Sequence, residues 1–259
     1  MIYSVIGTGA VGGYYGGRLA NAGNEVHFLF HSDYQYVCEH GLQVNSCNGD
    51  FHIDNVNAYD DTSKMPKSDV VLVALKSVKE SLLYKVLPPL LHPGTLVLLI
   101  QNGIGLEEDL VKVFPDVEVA AGLAFICSSK TKPGVVDHQC YGSINIGNYN
   151  CKNSQRISQL INDLQQSGVD AHEVEYHEAR WRKAVWNMPF NGMSVVKNAN
   201  TQELLAQHGT LIYDQMCEVI DAANALGVKS LDYTFADKMI EMTKVMVPYY
   251  PSMKLDYNF

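Results

Sequence analysis

The chain has 259 residues, 47% hydrophobic and 18% charged, which suits one large or two modest domains and excludes disordered and low-complexity classes. With 19 basic and 28 acidic residues the net charge is −9, so nucleic acid and anionic membrane are not partners that global electrostatics would recruit. Lys, Asp, Asn or Gly interrupts every apolar run before it reaches membrane-spanning length. The amino terminus enters a strand-like run with no basic leader, and the six cysteines (38, 47, 127, 140, 151 and 217) lack C-x-x-C spacing, which reads as reduced thiols and a cytoplasmic protein.

In chain order, Ile2 to Ile6 is a strand candidate, followed by a glycine-rich turn, an amphipathic helix to about Ala22 and a second strand over Glu25 to Phe30. Val70 to Leu75 and Leu96 to Ile100 are apolar on both faces, as expected of parallel strands covered by helices on each side. From Val117 to Gly147 come short strands closing the sheet, with turn signals at Lys132-Pro133-Gly134 and Tyr141-Gly142-Ser143. Beyond about Glu175 the pattern turns helical, with breaks expected at Gly192, Gly209, Gly227 and Pro248. The fold class is therefore α/β: a Rossmann-type doubly wound sheet domain over 1–173, then a smaller all-α domain over 174–259 that carries substrate or dimer contacts.

Gly7-Thr8-Gly9-Ala10-Val11-Gly12 fits G-x-G-x-x-G between a strand and a helix. In such a loop the first glycine makes the turn, the second lets backbone approach a pyrophosphate, and the third allows close helix–strand packing. An NAD site of this kind usually places an acid at the end of the second strand, on the ribose diol. Here that strand ends Phe30-His31-Ser32, with no acid before Asp33. His31 and Ser32 could meet a 2′-phosphate, which favours NADP (NADPH) over NAD; alternatively His31 is an ordinary exposed histidine near the adenine.

Two more strand ends fall on the same edge. One delivers Lys76, a cation for a cofactor phosphate or a substrate carboxylate; the other delivers Asn102, whose amide can hold the ribose or the nicotinamide side. The plain alternatives are a solvated lysine beside Lys79 and a turn dipeptide at Asn102-Gly103. The richest helix runs through Trp181-Arg182-Lys183-Ala184-Val185-Trp186-Asn187-Met188-Pro189-Phe190-Asn191. Lys183, Asn187 and Asn191 are spaced i, i+4, i+8 and make one polar stripe among bulky apolar groups, with a kink expected at Pro189. A dinucleotide beside such a stripe points to carbonyl reduction, in which an ammonium stabilises the developing oxyanion and then protonates it. Lys183 is the candidate, with Asn187 and Asn191 orienting substrate oxygens. No histidine spacing suits a metal, and a serine nucleophile lacks G-x-S-x-G support.

Together, Gly7-x-Gly9-x-x-Gly12, Leu75-Lys76, Asn102-Gly103-x-Gly105, Trp181-Arg182-Lys183 with Asn187 and Asn191, and Pro251-Ser252-Met253 with Asp256 resemble the ketopantoate reductase family in order and across almost the whole chain. The resemblance implies NADPH-dependent reduction of 2-dehydropantoate to (R)-pantoate, on the route to pantothenate and coenzyme A. It casts Lys183 as proton donor, Asn102, Asn187, Asn191 and Ser252 as substrate contacts, Lys76 near cofactor and substrate, and Ser128 at a backbone cofactor contact. Two departures accompany it: His31 stands where many members carry Arg, and the sequence ends at Phe259, before the Glu and further helices that members usually have. The competing expectations are a reductase of another 2-oxo acid on the same scaffold, and a non-catalytic NADP-binding regulator. The apolar carboxyl-terminal helices could also support a homodimer.

Overall fold

The first strand shows how the sequence builds the fold. In β1 (Ile2–Ile6), Tyr3 and Val5 join one apolar cluster, whereas Ile6 joins another on the opposite face of the sheet. This computed structural model describes residues 1–77 and 80–257, so Lys79 lies outside the described residues. The chain divides into two units, Met1–Tyr176 and His177–Phe259. That division lies three residues past the boundary read from the sequence, because the last strand still pairs within the first unit.

In the first unit β1 leads to α1 (Ala10–Asn21), β2 (Glu25–Leu29), α2 (Tyr34–His40), β3 (Leu42–Ser46), β4 (Phe51–Ile53) and β5 (Asn57–Tyr59). After these come β6 (Val70–Val73), α3 (Glu80–Val86), β7 (Leu96–Leu99), α4 (Leu106–Val113), β8 (Glu118–Lys132), β9 (Val135–Asn148), α5 (Ser154–Gln166) and β10 (Ala171–Val174). All the strands form one 10-stranded sheet in the order β4-β3-β9-β8-β7-β6-β1-β2-β5, with β10 on β9. The run β5-β2-β1-β6-β7-β8 is parallel, and strand order reverses beside β1, the crevice where open α/β sheets bind ligands.

The region expected to hold several short strands is instead a hairpin of two long ones, β8 and β9. Lys132-Pro133-Gly134 is its turn, but Tyr141-Gly142-Ser143 is an irregularity inside β9 rather than a turn. The sheet packs around α1, which contacts β1, β2, β3, β4, β6, β8 and β9. Its AVGGYYGG sequence answers to that enclosure: Gly12, Gly13, Gly16 and Gly17 are buried, and Tyr14, Tyr15 and Leu19 are fully so.

The second unit consists of α6 (Tyr176–Lys197, whose first residue belongs to the first unit), α7 (Thr201–Ala225), α8 (Tyr233–Val245) and α9 (Ser252–Tyr257). Its core gathers Val185, Phe190, Leu204, Ile212, Met216 and Ile220, all fully buried. Full burial of such side chains contributes about 1.5–3 kcal/mol each. Asn200 caps α7 with a reciprocal capping box to Glu203. Pro189, expected to kink the helix, and Gly192, expected to break it, both lie inside α6, which runs on as one element. The departure from helical geometry is in α7, at His208 beside Gly209. Among the described residues no helix is long and apolar enough to cross a membrane.

Candidate active site

The glycine loop sits at the carboxyl end of β1. Gly7 has φ +91°, and a Cβ there would come within 2.6 Å of the Leu75 backbone nitrogen. At Gly12 a Cβ would fall 2.4 Å from the Gly7 carbonyl oxygen. Gly9 differs: a Cβ there would meet nothing within 4 Å. The outer two glycines are thus fixed by close packing inside the protein, whereas the middle one borders open space. Gly9 is also the N-cap of α1, with no side-chain cap and no acid in the first turn, so the amide donors of Ala10, Val11 and Gly12 keep their capacity for an anion. Thr8 donates its hydroxyl to the Leu29 carbonyl at 2.9 Å, tying the loop to the end of β2. This cradle fits a dinucleotide pyrophosphate.

His31, Lys76 and Asn102 follow β2, β6 and β7, strands adjacent to β1 or one place removed, so these exposed residues share the carboxyl edge with the glycine loop. Asp33, the first acid after β2, is buried and engaged. It pairs with the Lys130 ammonium, accepts from the Gly134 N–H at 3.0 Å, and accepts from the Ser32 hydroxyl at 2.9 Å. Burial alone would raise its pKa, but Lys130, Gly134 and Ser32 together hold the carboxyl below its usual range. Nothing in the local sequence signals this partnership, because the far end of the hairpin supplies it. Ser128 lies two residues before Lys130, opposite His138, with its hydroxyl buried and lacking a hydrogen-bond partner.

In the second unit Lys183, Asn187 and Asn191 are half-buried along α6. Burial, then the neighbouring Arg180 cation, pulls the Lys183 ammonium down to about 7. Arg180 itself is only 3% exposed. This tuning is what a general acid near neutrality requires, and sequence spacing carries no sign of it. Arg182, adjacent in the motif, braces the helix instead. Its Nε donates to Glu178 Oε1 at 2.6 Å, and its guanidinium lies 4.7 Å from the Phe235 ring centroid. Trp186 donates its indole N–H to Thr243 at 2.9 Å and stacks on Phe190. Ser252 opens α9, three residues after Tyr249, whose backbone bonds to Thr201 on α7. The described residues contain no group of three or more His, Cys, Asp or Glu that could hold a metal.

A doubly wound sheet with this cradle at its strand ends is the architecture of a dinucleotide-binding protein. Residues 3–151 match the family model described as Ketopantoate reductase PanE/ApbA, and residues 175–258 match the model of its C-terminal part. The chain belongs to the ketopantoate reductase family. It is 44% identical over 264 residues to a 2-dehydropantoate 2-reductase of Nostoc sp., covering 99% of this chain and 82% of that relative. A crystal structure of 2-dehydropantoate 2-reductase from Geobacter metallireducens superposes with TM-score 0.95 at 37% identity, covering 100% of this chain and 87% of that one. The structure of 2-dehydropantoate 2-reductase from Methylococcus capsulatus gives TM-score 0.91 at 34% identity, covering 100% and 84%.

Proposed function

We propose that the protein reduces 2-dehydropantoate to (R)-pantoate with NADPH, and that Lys183 is its proton donor. The reading is carried by the Lys183 ammonium, held near neutrality on the same helix face as two asparagines. When bound, the dihydronicotinamide supplies the hydride. The residues of this chain do the rest. The donors of Ala10, Val11 and Gly12 hold the pyrophosphate, with Gly9 leaving room for it and Thr8 bracing the loop. Lys76 and Asn102 contribute a charge and an amide at the strand ends, and Ser128 a contact from β8.

Asn187, Asn191 and Ser252 orient the hydroxyl and carboxylate oxygens of the 2-oxo acid. Lys183 stabilises negative charge as it grows on the carbonyl oxygen, then gives up its proton there. NADPH preference is supported by the engagement of Asp33 with Lys130, Gly134 and the Ser32 hydroxyl, which leaves His31 to meet the ribose 2′ position. The protein works in the cytoplasm, where its thiols stay reduced. The test is NADPH oxidation with ketopantoate, alongside NADH and a panel of other 2-oxo acids. Preference for a different acid, or no acceleration by any, would replace this substrate assignment.

A further inference from the structure

A cavity of about 240 Å3 opens in the first unit between Tyr14, Asn48, Tyr141, Gly142, Ser143 and Asp170. At about 30 Å3 per water it has room for roughly eight waters, enough for a compact metabolite and too little for a dinucleotide. One wall is a bulge in β9: Phe125 pairs with Ser143 but Ile126 with Tyr141, which leaves Gly142 as the extra residue. Tyr141 is held at φ 63°, a left-handed conformation that is strained for a residue with a Cβ. Gly142 has φ +108°, and a Cβ there would lie 2.8 Å from the Tyr14 hydroxyl. Strain of this kind is kept where the surrounding structure has a use for it.

Arg18 stands behind two of these walls. It is 9% exposed, donates to Ser46 Oγ at 2.9 Å and to the Asn48 carbonyl at 3.5 Å, and lies 5.4 Å from the Tyr14 ring centroid and 4.9 Å from that of Phe51. Its Nε has no hydrogen-bond partner, and no carboxylate among the described residues pairs with it. A buried cation ordinarily has a counter-anion, and here the described residues supply none. His138, beside Tyr14, adds no second positive charge, since burial, with Arg18 nearby, pulls its pKa below the ordinary value. Asp170 at the rim is paired with His172 at 2.8 Å, and both side chains are largely in solvent. None of Gly7–Gly12 lines this cavity, so it is distinct from the pyrophosphate cradle.

We propose that this cavity binds a small oxyanion, the phosphate or carboxylate group of a compact metabolite, through Tyr14, Asn48 and Ser143 in the field of Arg18. Amide NMR titration of the whole chain with inorganic phosphate, and separately with acetate, tests it. Saturable shifts at Asn48, Gly142 and Ser143 are expected, with affinity reduced about tenfold or more in Arg18→Gln and in Asn48→Leu. A response to phosphate alone or to acetate alone identifies the group the cavity takes. Shifts confined to Gly7–Gly12 report only the coenzyme cradle and overturn the proposal, as do titrations unchanged in the variants. Should Arg18→Gln fail to fold, the exposed position of Asn48 lets Asn48→Leu carry the comparison.

Discussion

Asp33 and Lys130 form an ion pair that joins the loop after β2 to the far end of β8. The Asp33 side chain is 5% exposed and that of Lys130 is 31% exposed, so the pair is worth more than a surface salt bridge and less than a fully buried one. Asp33→Asn should therefore cost about 2 kcal/mol, between the values typical of those limits. The sign with pH follows from the direction of the shift. The folded pKa lies below the unfolded value of about 3.9, so this stabilisation is complete above that value and is lost as pH falls through the folded pKa. Urea unfolding at a series of pH values should show wild type and Asp33→Asn separated by a constant gap at neutral pH. The gap should close below about pH 4; a gap that persists into acid would remove the ion pair as its source.

Lys183 has to be protonated to act as donor, and burial with Arg180 sets its pKa at about 7. In the direction of carbonyl reduction, kcat/KM should fall as pH rises through that region, since this parameter reports the free enzyme. Lys183→Ala should lower turnover by about two orders of magnitude or more while leaving the dissociation constant for NADPH within a few-fold. A Lys183→Ala enzyme turning over near the wild-type rate would exclude the residue from proton transfer.

The glycine loop separates folding from binding by position. Gly9→Val places its side chain in open space and should leave thermal stability nearly unchanged while weakening NADPH binding by crowding the pyrophosphate. Gly12→Ala drives a Cβ to 2.4 Å from the Gly7 carbonyl oxygen and should cost about 1–3 kcal/mol of stability. Calorimetry for melting and titration for binding distinguish the two. Equal loss of stability in both variants would mean that the open side of Gly9 has been misassigned.

Much of this architecture is legible in the sequence because the informative segments are local. The loop from Gly7 to Gly12, the all-apolar strands β6 and β7 and the i, i+4, i+8 stripe of α6 each carry their signal within a dozen residues. Strands β3, β4 and β5 are short, mixed in polarity and placed toward the sheet edges, where periodicity says little. Tyr141-Gly142 has turn composition yet lies within a strand, because a bulge needs the same left-handed backbone as a turn. Pro189 reads as a kink and Gly192 as a break, but Phe190 and Met193 beside them are buried in the core of the second unit, and tertiary packing outweighs their propensity. The Asp33–Lys130 pair depends on how the hairpin curls, which no local pattern encodes.

Trp186 precedes Asn187 on α6, and its orientation rests on Thr243. The Thr243 hydroxyl accepts from the indole at 2.9 Å, donates to the Met239 carbonyl at 2.7 Å and is fully buried. Gln202 holds the same end of α8 by donating to the carbonyls of Thr243 and Met246, each at 2.7 Å. Thr243→Val keeps the volume but leaves the indole N–H without its acceptor, a loss of about 1–3 kcal/mol. If Trp186 also sets the pitch of the stripe, this variant should raise KM for the 2-oxo acid more than it lowers kcat, with tryptophan emission shifted to the red as water reaches the ring. Thr243→Ser retains the hydroxyl and should keep wild-type emission. Identical emission and KM in the Val and Ser variants would show that the bond stabilises the helices without positioning Asn187.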